Sequence, residues 1–495
     1  MSAEYHDWKL FIDGEFVEST SGERFSVESP ADRSVIGSAP QGTSEDMNKA
    51  VQAAKQAYEE TWRHIDARDR VEYLLEIADR IEDEFEEFVR LETLENGKPL
   101  RESRNDVEEA IDGYRYYAGA ADKIHGDTIP TRGELFDYTL REPYGVVGCI
   151  IPWNWPPMHT ADFTAAPVAA GNTVVLKPAP ETPLSSLKMA EIWADILPDG
   201  VINVVTGDVE PGARLTEHQD IRKIAFTGHT DTGTAVMKAA AENIIDVMLE
   251  LGGKNANIVL PDANLEKAAS GVYHGIFDNQ GQACASGSRL LVHEDIKEDL
   301  INRLLSQVEA MTVGPGTDPE TNLGPLASQQ QYDKVRKYIE IGKNEGATLL
   351  YQGTLPDDLP DGYYVPPTIF DNVTQEMRIA KEEIFGPVLT IHTYETVEEA
   401  IEIANDTKYG LTGAVWTRNM EVANQVVRQI DAGLIFVNNF VNGFLGAPFG
   451  GYKQSGIGRK LGLKETMDEF TQEKTIRSSI ASSEPGSIDE EYYSQ

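Results

Sequence analysis

Cys284 is the residue of this chain whose neighbours best suit a reacting nucleophile. Alanines flank the thiol on both sides and glycines and serines lie close by, so little bulk would keep a substrate carbonyl from the sulfur. A solitary cysteine is nevertheless more often a small core residue than a nucleophile. A catalytic role therefore requires other groups that polarise the carbonyl, accept electrons and release the product.

Two other segments offer groups for such chemistry. Asn154 lies between two tryptophans near the end of a predicted strand, where ligands gather in open α/β sheets and where its amide could donate to an oxyanion. Glu250 ends a β-rich run just before a Gly-Gly pair, and an apolar setting would make it a general base for water. The ordinary alternatives are a turn asparagine and a solvated strand-end glutamate.

Three motifs fit a nucleotide, although each is weak by itself. Lys177 ends a buried β-branched run, where a ribose or phosphate could lie. The turn from Gly228 to Gly233 precedes a predicted helix and leaves backbone N–H groups free for a pyrophosphate. Glu383 could accept ribose hydroxyls, and Phe385 could lie against a flat ring.

The elements that must position these residues follow from the hydrophobic pattern. An Asp-Gly pair at 13–14 between two apolar runs predicts an opening β-hairpin. Helical spacing from Ser44 to about Tyr117 predicts three long helices with a break near 96–99. Alternating runs then predict a parallel sheet covered by helices, with strands at 145–151, 173–176, 201–205, 223–226 and 247–250.

A second α/β series begins near Asn257, with predicted strands at 289–292, 388–393 and 433–437 and helices at 296–310 and 397–404. The segments 121–141 and 465–476 fit neither sheet. Segments of this kind often pair with an edge strand of a partner, so they predict a homodimer or a homotetramer.

The charge balance excludes several partners. The 495 residues include 82 Asp and Glu against 43 Lys and Arg, a formal net charge of −39. Such a field repels nucleic acid and anionic membranes. Such a charge also repels itself, and salt weakens this repulsion because the screening length falls from roughly 10 Å at 0.1 M to about 3 Å at 1 M. The excess of negative charge therefore predicts adaptation to a salt-rich cytoplasm. An ordinary acidic cytosolic protein is the alternative.

Cys149 and Cys284 are the only cysteines, so we expect neither a disulfide framework nor a metal site. A cytoplasmic location follows, since the first residues lack the pattern of a signal peptide and no run approaches the roughly 18 apolar residues of a spanning helix. Cys149, inside a β-branched run, is interpreted as core packing.

Taken together, the ordered motifs resemble those of the aldehyde dehydrogenase superfamily over nearly the whole chain. They lie at 152–156, 177–178, 226–228, 249–254, 281–284, 383–387 and 448–456. The resemblance implies an α/β fold with a Rossmann-like cofactor domain, a second α/β catalytic domain and a small β oligomerisation arm. The expected bounds are 1–120 and 142–254 for the dinucleotide-binding domain, 255–464 for the catalytic domain, 121–141 and 465–480 for oligomerisation, and 481–495 for an acidic tail.

The resemblance also implies an NAD(P)-dependent oxidation of an aldehyde to the acid. Cys284 would form a thiohemiacetal, Asn154 and the Cys284 backbone N–H would hold its oxyanion, and Glu250 would activate the water that hydrolyses the thioester. The residues expected to bind the cofactor are Trp153, Lys177, Gly228, His229, Gly233, Leu251, Glu383 and Phe385.

Some positions depart from the family's pattern. Members that prefer NAD often carry a glutamate three places after the lysine, but Pro180 stands there and Glu181 follows it. His229 replaces a frequent serine, so NAD is expected and NADP stays open. Asp162 and Asp278 occupy places where aromatic residues are common, which predicts a polar substrate entrance that disfavours large apolar aldehydes.

Three alternatives stay open. The first is an aldehyde dehydrogenase that transfers the acyl group to coenzyme A. Such relatives commonly lack a glutamate matching Glu250. A catalytically silent homologue would have lost one of the three catalytic residues. A cysteine hydrolase would need a histidine partner, and His159 and His274, which carry no matching motif, are interpreted as satisfied structural groups.

Overall fold

A computed structural model describes residues 5–131, 135–440 and 445–479. The predicted acidic tail at 481–495 lies outside these ranges. Within them, no helix combines the length and apolar character that a bilayer crossing requires.

The opening hairpin is confirmed. The first strands are β1 (His6–Asp7), β2 (Leu10–Ile12), β3 (Glu15–Val17), β4 (Arg24–Glu28) and β5 (Val35–Pro40). Strands β2 and β3 pair antiparallel, and the turn residues Asp13 and Gly14 have φ of 55° and 76°. Two consecutive left-handed residues match the twist of the strands, which is why an Asp-Gly pair favours this turn.

The helical region contains four long helices, so the prediction of three was wrong. They are α1 (Ser44–Glu60), α2 (Ala67–Asp83), α3 (Phe85–Asn96) and α4 (Leu100–Ala118). The expected break holds, since Gly97 ends α3 with φ of 91° and Pro99 precedes α4. The additional boundary is at Glu84, where apolar spacing continues from Ile81 to Phe88 and hides the turn.

The parallel sheet is confirmed and lies behind the candidate site. After β6 (Thr128–Ile129) and β7 (Leu135–Pro143), its strands are β8 (Val146–Ile150), β9 (Thr173–Lys177), β10 (Ile202–Val204), β11 (Lys223–Thr227) and β12 (Asp246–Glu250). The helices between them are α5 (Pro156–Ala169), α6 (Leu184–Ile196), α7 (Val209–Thr216) and α8 (Thr230–Glu242).

A second, seven-stranded sheet forms the other half of the described chain, in the order β15-β16-β17-β14-β13-β19-β20. Its strands are β13 (Ala256–Val259), β14 (Arg289–His293), β15 (Thr348–Gln352), β16 (Thr368–Asp371), β17 (Val388–Tyr394), β19 (Thr412–Trp416) and β20 (Leu434–Val437), with β18 (Tyr409–Gly410) beside it. The helices here are α9 (Leu265–Phe277), α10 (Lys297–Glu309), α11 (Gln329–Asn344), α12 (Arg378–Lys381), α13 (Val397–Asn405) and α14 (Met420–Val427).

The end of the described chain returns to both earlier parts. It comprises β21 (Tyr452–Lys453), β22 (Gly456–Ile457), α15 (Leu463–Glu469) and β23 (Thr471–Ser479). Strand β22 pairs with β12, so the first sheet has the order β22-β12-β11-β8-β9-β10-β2-β3. Gly456 lies opposite Glu250, and its φ of 147° permits this close approach.

The third sheet is an arm, defined here as β6, β7 and β23. Strand β23 pairs antiparallel with the whole length of β7, and β6 pairs with the other edge of β7. The stretches 121–141 and 465–476 therefore do meet in β structure, although neither forms a strand throughout. Ala121–Lys123 forms a 3-10 turn, and 465–469 belongs to helix α15.

Candidate active site

Cys284 lies where two cavities meet. One, here called the cleft, has a volume of about 470 Å³ and is lined by residues that include Asn154, Thr227, Glu250, Cys284, Glu383 and Phe385. The other, here called the tunnel, has a volume of about 70 Å³ and is lined by residues that include Trp155, His159, Asp162, Cys284, Phe449 and Lys460. The thiol is thus reachable from two sides.

An unusual turn places the thiol at this junction. Asn279, Gln280 and Gly281 have successive φ values of 50°, 57° and 70°, which is costly for the two residues that carry side chains. A Cβ on Gly281 would lie 2.2 Å from the carbonyl oxygen of Gly386, so this position requires glycine. The side chain of Asn255 then donates to the carbonyl of Cys284 at 2.8 Å and fixes the backbone.

Burial disfavours the thiolate form of Cys284. Burial raises the pKa of Cys284 to about 12, while the ammonium of Lys460 acts in the opposite direction. Because the thiolate is the nucleophile, its formation needs a favourable charge or a base close by.

Asn154 is fixed beside the thiol by hydrogen bonds to its side chain and to its backbone carbonyl. It follows β8, and its side-chain Nδ2 donates to the carbonyl of Gln282 at 2.9 Å. Its own carbonyl accepts from Lys98 Nζ at 2.8 Å and from Asn279 Nδ2 at 3.1 Å. An amide has two N–H groups, and this arrangement leaves one available for an oxyanion.

Glu250 stands at the carboxyl end of β12 and borders the cleft. Both of its carboxylate oxygens are buried and have no hydrogen-bond partner among the described residues. Burial raises its pKa to about 8, against the opposing charges of Lys460 and Arg459. A carboxylate with this pKa can take a proton from water near neutral pH.

The expected pyrophosphate turn lies at the wall of the cleft. Gly228 and His229 line it, and the His229 side chain caps helix α8 by accepting from the Asp231 N–H at 3.2 Å. Gly233 packs against Leu251, since a Cβ there would lie 2.5 Å from the Leu251 side chain. The helix thus presents free N–H groups to an anion.

The aromatic wall of the cleft consists of Trp153 and Phe385. Their rings meet edge to face with centroids 5.4 Å apart. Phe385 has a φ of 64°, and the Gln331 side chain holds it by donating to its carbonyl. Gln331 and Lys334, which also line the cleft, were missed because a helix surface in an unremarkable segment gave no sequence signal.

The two expected ribose-binding residues differ in their surroundings. Glu383 lines the cleft and accepts from the Gly253 N–H at 2.9 Å, and a Cβ on Gly252 would lie 2.3 Å from its carboxylate. Lys177 is 6% exposed, and burial lowers its pKa to about 8. Glu181 stands at the wall of the cleft, and its carboxylate interacts electrostatically with Lys177.

These residues fit a dinucleotide. The set combines N–H groups at a helix terminus, a carboxylate for hydroxyls and an aromatic wall, and the buried Thr227 Oγ1 is a hydroxyl without a partner among the described residues.

The tunnel contains Asp162, which the sequence predicts at the substrate entrance, and two polar side chains that motif reasoning did not assign to the site, Lys460 and His159. Lys460 donates to Asp162 at 2.9 Å, and both are buried. His159 was interpreted as a satisfied structural group, and this was wrong: it is 3% exposed, lines the tunnel, and has no hydrogen-bond partner for Nε2 among the described residues. His159 and Asp162 are three residues apart and therefore lie on one face of α5. This spacing is the sequence signal that could have placed His159 in the tunnel. His274, by contrast, contacts Asp278 at 3.1 Å.

Comparison with known proteins agrees with this geometry. A model described as "Aldehyde dehydrogenase family" matches residues 16–476. The putative aldehyde dehydrogenase DhaS of Bacillus subtilis is 45% identical over 472 residues, which is 94% of this chain and 95% of that protein. The structure of an aldehyde dehydrogenase from Bacillus cereus in complex with NAD+ has a TM-score of 0.94 and 43% identity, covering 96% of this chain and 97% of that one. Betaine aldehyde dehydrogenase from Staphylococcus aureus with NAD+ has a TM-score of 0.93 and 38% identity, covering 96% and 95%.

The raised pKa of Glu250 predicts a pH-dependent stability difference. Between pH 4.5 and about 8 the folded protein keeps a proton on Glu250 that the unfolded chain releases, so the wild type loses stability as pH rises through this window. Glu250→Gln has no such proton. We expect its melting temperature to rise relative to wild type between pH 5 and 8.5, by an amount that reflects on the order of 2 kcal/mol.

Thermal melts at both pH values measure this difference. Glu76→Gln, an exposed substitution on α2, is the matched control and should show a constant offset. An offset for Glu250→Gln that is constant or falls with pH would contradict the burial argument.

Proposed function

The chain belongs to the aldehyde dehydrogenase family, and from this premise we propose that Cys284, Asn154 and Glu250 carry its reaction. The protein is an enzyme that oxidises an aldehyde to the carboxylic acid with NAD. The observation that supports these roles is the position of Cys284, which borders both the cleft and the tunnel. A cofactor on one side and an aldehyde on the other could then both reach the sulfur.

In the first half of the reaction, the Cys284 thiol gives its proton to water in the cleft and its sulfur bonds to the carbonyl carbon. The free N–H of the Asn154 amide and the backbone N–H of Cys284 donate to the oxyanion that develops. NAD, when bound, supplies the acceptor for the hydride that leaves the same carbon. The product on Cys284 is a thioester.

In the second half, Glu250 removes a proton from water, which attacks the thioester and releases the acid and the thiol. The unpartnered Glu250 oxygens and the raised pKa support this role. They favour water over coenzyme A as the acyl acceptor. They also argue against a silent homologue, since all three groups are present and close together.

A cysteine hydrolase is less well supported. Although His159 lines the tunnel with Cys284, burial and the charge of Lys460 lower the pKa of His159 to about 4. Such an imidazole is a poor base for a thiol near neutral pH.

For the cofactor, we infer a preference for NAD over NADP. Pro180 removes a carboxylate from the usual place, but Glu181 stands at the cleft wall beside Lys177. A carboxylate here would repel a 2′-phosphate.

We also infer a homo-oligomer, a dimer or a tetramer, assembled through the arm. Its exposed apolar side chains include Ile129, Phe136 and Leu140, which are 39%, 44% and 41% exposed. A reduced thiol at Cys284 favours a cytoplasmic location, and the net charge of −39 favours a salt-rich one.

Kinetics can separate the roles of Cys284 and Glu250. We expect Cys284→Ala to form no reduced cofactor, because no covalent intermediate can form. Glu250→Gln should retain a burst of about one NADH per active site while its steady-state rate falls about 100-fold or more, since only hydrolysis needs the base. Stopped-flow absorbance measures both, with Cys149→Ala as the control. Equal loss of burst and steady-state rate in Glu250→Gln would contradict these roles.

The cofactor preference is tested at Glu181. Without the carboxylate, Glu181→Gln should raise kcat/KM for NADP relative to NAD about tenfold, the effect of one repulsive contact. Steady-state rates with both cofactors measure this ratio. The exposed Glu217→Gln should leave it unchanged, and an unchanged ratio in Glu181→Gln would place the discrimination elsewhere.

Assembly is tested on the arm. Introducing like charges with Phe136→Glu and Leu140→Glu should convert the oligomer into smaller species, because a partner would have to bury them. Light scattering after size-exclusion chromatography measures the mass. Met420→Glu, at an exposed apolar residue on α14, should not change it. A monomeric wild type would contradict the proposed assembly.

A further inference from the structure

The way into the tunnel is lined by carboxylates. A cavity of about 970 Å³, here called the vestibule, lies outside the tunnel between α4 and α9. Asp106, Glu109 and Trp155 line both cavities, so the two are adjacent. The acidic side chains that line the vestibule include Glu102, Glu108, Glu109, Asp112, Glu266 and Asp278.

Four of the seven carboxylates, counting Asp106, have a cation or a histidine beside them, and Glu102 is one of them, 3.0 Å from Arg101. Asp106 is paired with Lys98, Glu266 with Arg303 at 2.8 Å, and Asp278 with His274 at 3.1 Å. A generally acidic surface explains such pairs without any ligand.

Glu108, Glu109 and Asp112 stand outside these pairs, and of the three only Glu109 also lines the tunnel. It lies where the vestibule joins the tunnel, and no ion pair or hydrogen bond to its carboxylate is found within the described residues. Burial and the neighbouring charges of Asp106 and Asp162 raise its pKa to about 7, while the charge of Lys460 acts in the opposite direction. A positive charge placed beside it would relieve this repulsion.

Two buried polar atoms at the same passage also have no partner among the described residues. Nε2 of His159 belongs to a side chain that is 3% exposed and lines the tunnel. Oδ1 of Asn279, also 3% exposed, belongs to a residue that lines the vestibule. A neutral imidazole nitrogen and an amide oxygen can both accept hydrogen bonds.

The cation of the tunnel is not available to an anionic substrate. Lys460 is bound to Asp162, so a substrate carboxylate would have to displace that ion pair and pass the vestibule as well. The small tunnel favours a short carbon chain.

From these observations we infer that the enzyme recognises short aldehydes whose far end carries a protonated amine, and that Glu109 is the residue that binds the ammonium group. An ammonium has three donors and no acceptor, which matches a carboxylate, an imidazole nitrogen and an amide oxygen. The inference rests on the proposed function, since the aldehyde end must reach Cys284 through the tunnel.

Three aldehydes of similar length and different charge test the inference in the full-length enzyme: 3-aminopropanal, butanal and 4-oxobutanoate. We expect kcat/KM for 3-aminopropanal to exceed that for butanal about tenfold, and 4-oxobutanoate to be the poorest. Glu109→Gln should lower the value for 3-aminopropanal about tenfold and leave butanal within about twofold. Glu76→Gln, which removes the same charge at an exposed site away from the passage, should change neither.

Repeating the wild-type comparison of the three aldehydes in 1 M salt distinguishes direct contact with Glu109 from attraction by the overall negative charge of the protein. At this concentration exposed charges are screened beyond about 3 Å, whereas a partly buried contact is screened much less. We therefore expect most of the preference for 3-aminopropanal to persist. A preference that disappears in salt would contradict binding at Glu109.

The outcomes distinguish this inference from the proposed function. Oxidation of butanal and 3-aminopropanal with equal kcat/KM, or a preference for 4-oxobutanoate, would overturn the inference alone. A preference for 3-aminopropanal that Glu109→Gln leaves intact, in a variant with a wild-type melting temperature, would overturn the role of Glu109. Failure to oxidise any of the three would overturn the proposed function and the inference together.

Discussion

The hydrogen bond from Asn154 Nδ2 to the carbonyl of Gln282, 2.9 Å long, joins the loop after β8 to the segment that carries Cys284. The first residue follows a strand of the parallel sheet and the second lies on the approach to β14, so this contact brings the two halves of the site together. Lys98 and Asn279 support it from the other side of Asn154. Without this bond the amide would have no fixed position relative to the sulfur, and a preorganised donor is what stabilises an oxyanion.

A second link sets the position of Glu250. Strand β22 returns from the end of the chain and pairs with β12, and Leu251 donates its N–H to the carbonyl of Ser455 at 2.9 Å. The hydroxyl of Ser455 donates to the carbonyl of Gly252 at 2.7 Å. Residues far apart in the chain thus fix the backbone on both sides of Glu250.

Burial controls the acid and base properties of the site. The same removal from water raises the pKa of Cys284 and of Glu250 and lowers that of His159. Lys460 is the buried cation that acts on all three, and Asp162 keeps it in place. Carboxylates outnumber cations among the residues that line the tunnel and the vestibule, which is the basis of the preference that we infer for a cationic aldehyde.

The sequence by itself determined the period of most elements and put forward the residues of the site. Local patterns sufficed for the hairpin at Asp13 and for the parallel strands, because strand ends and glycine-rich turns are encoded by adjacent residues. Cys284, Asn154 and Glu250 are predicted from the order of several motifs, each of them weak by itself. Helix α3 was merged with its neighbour, since apolar spacing runs through Glu84 without a break. Only the tertiary structure showed that β22 crosses to the first sheet and that His159, Glu109 and Lys460 face the substrate path. Those positions depend on which helix faces meet across the tunnel, and contacts between distant segments leave no periodic signal in the chain.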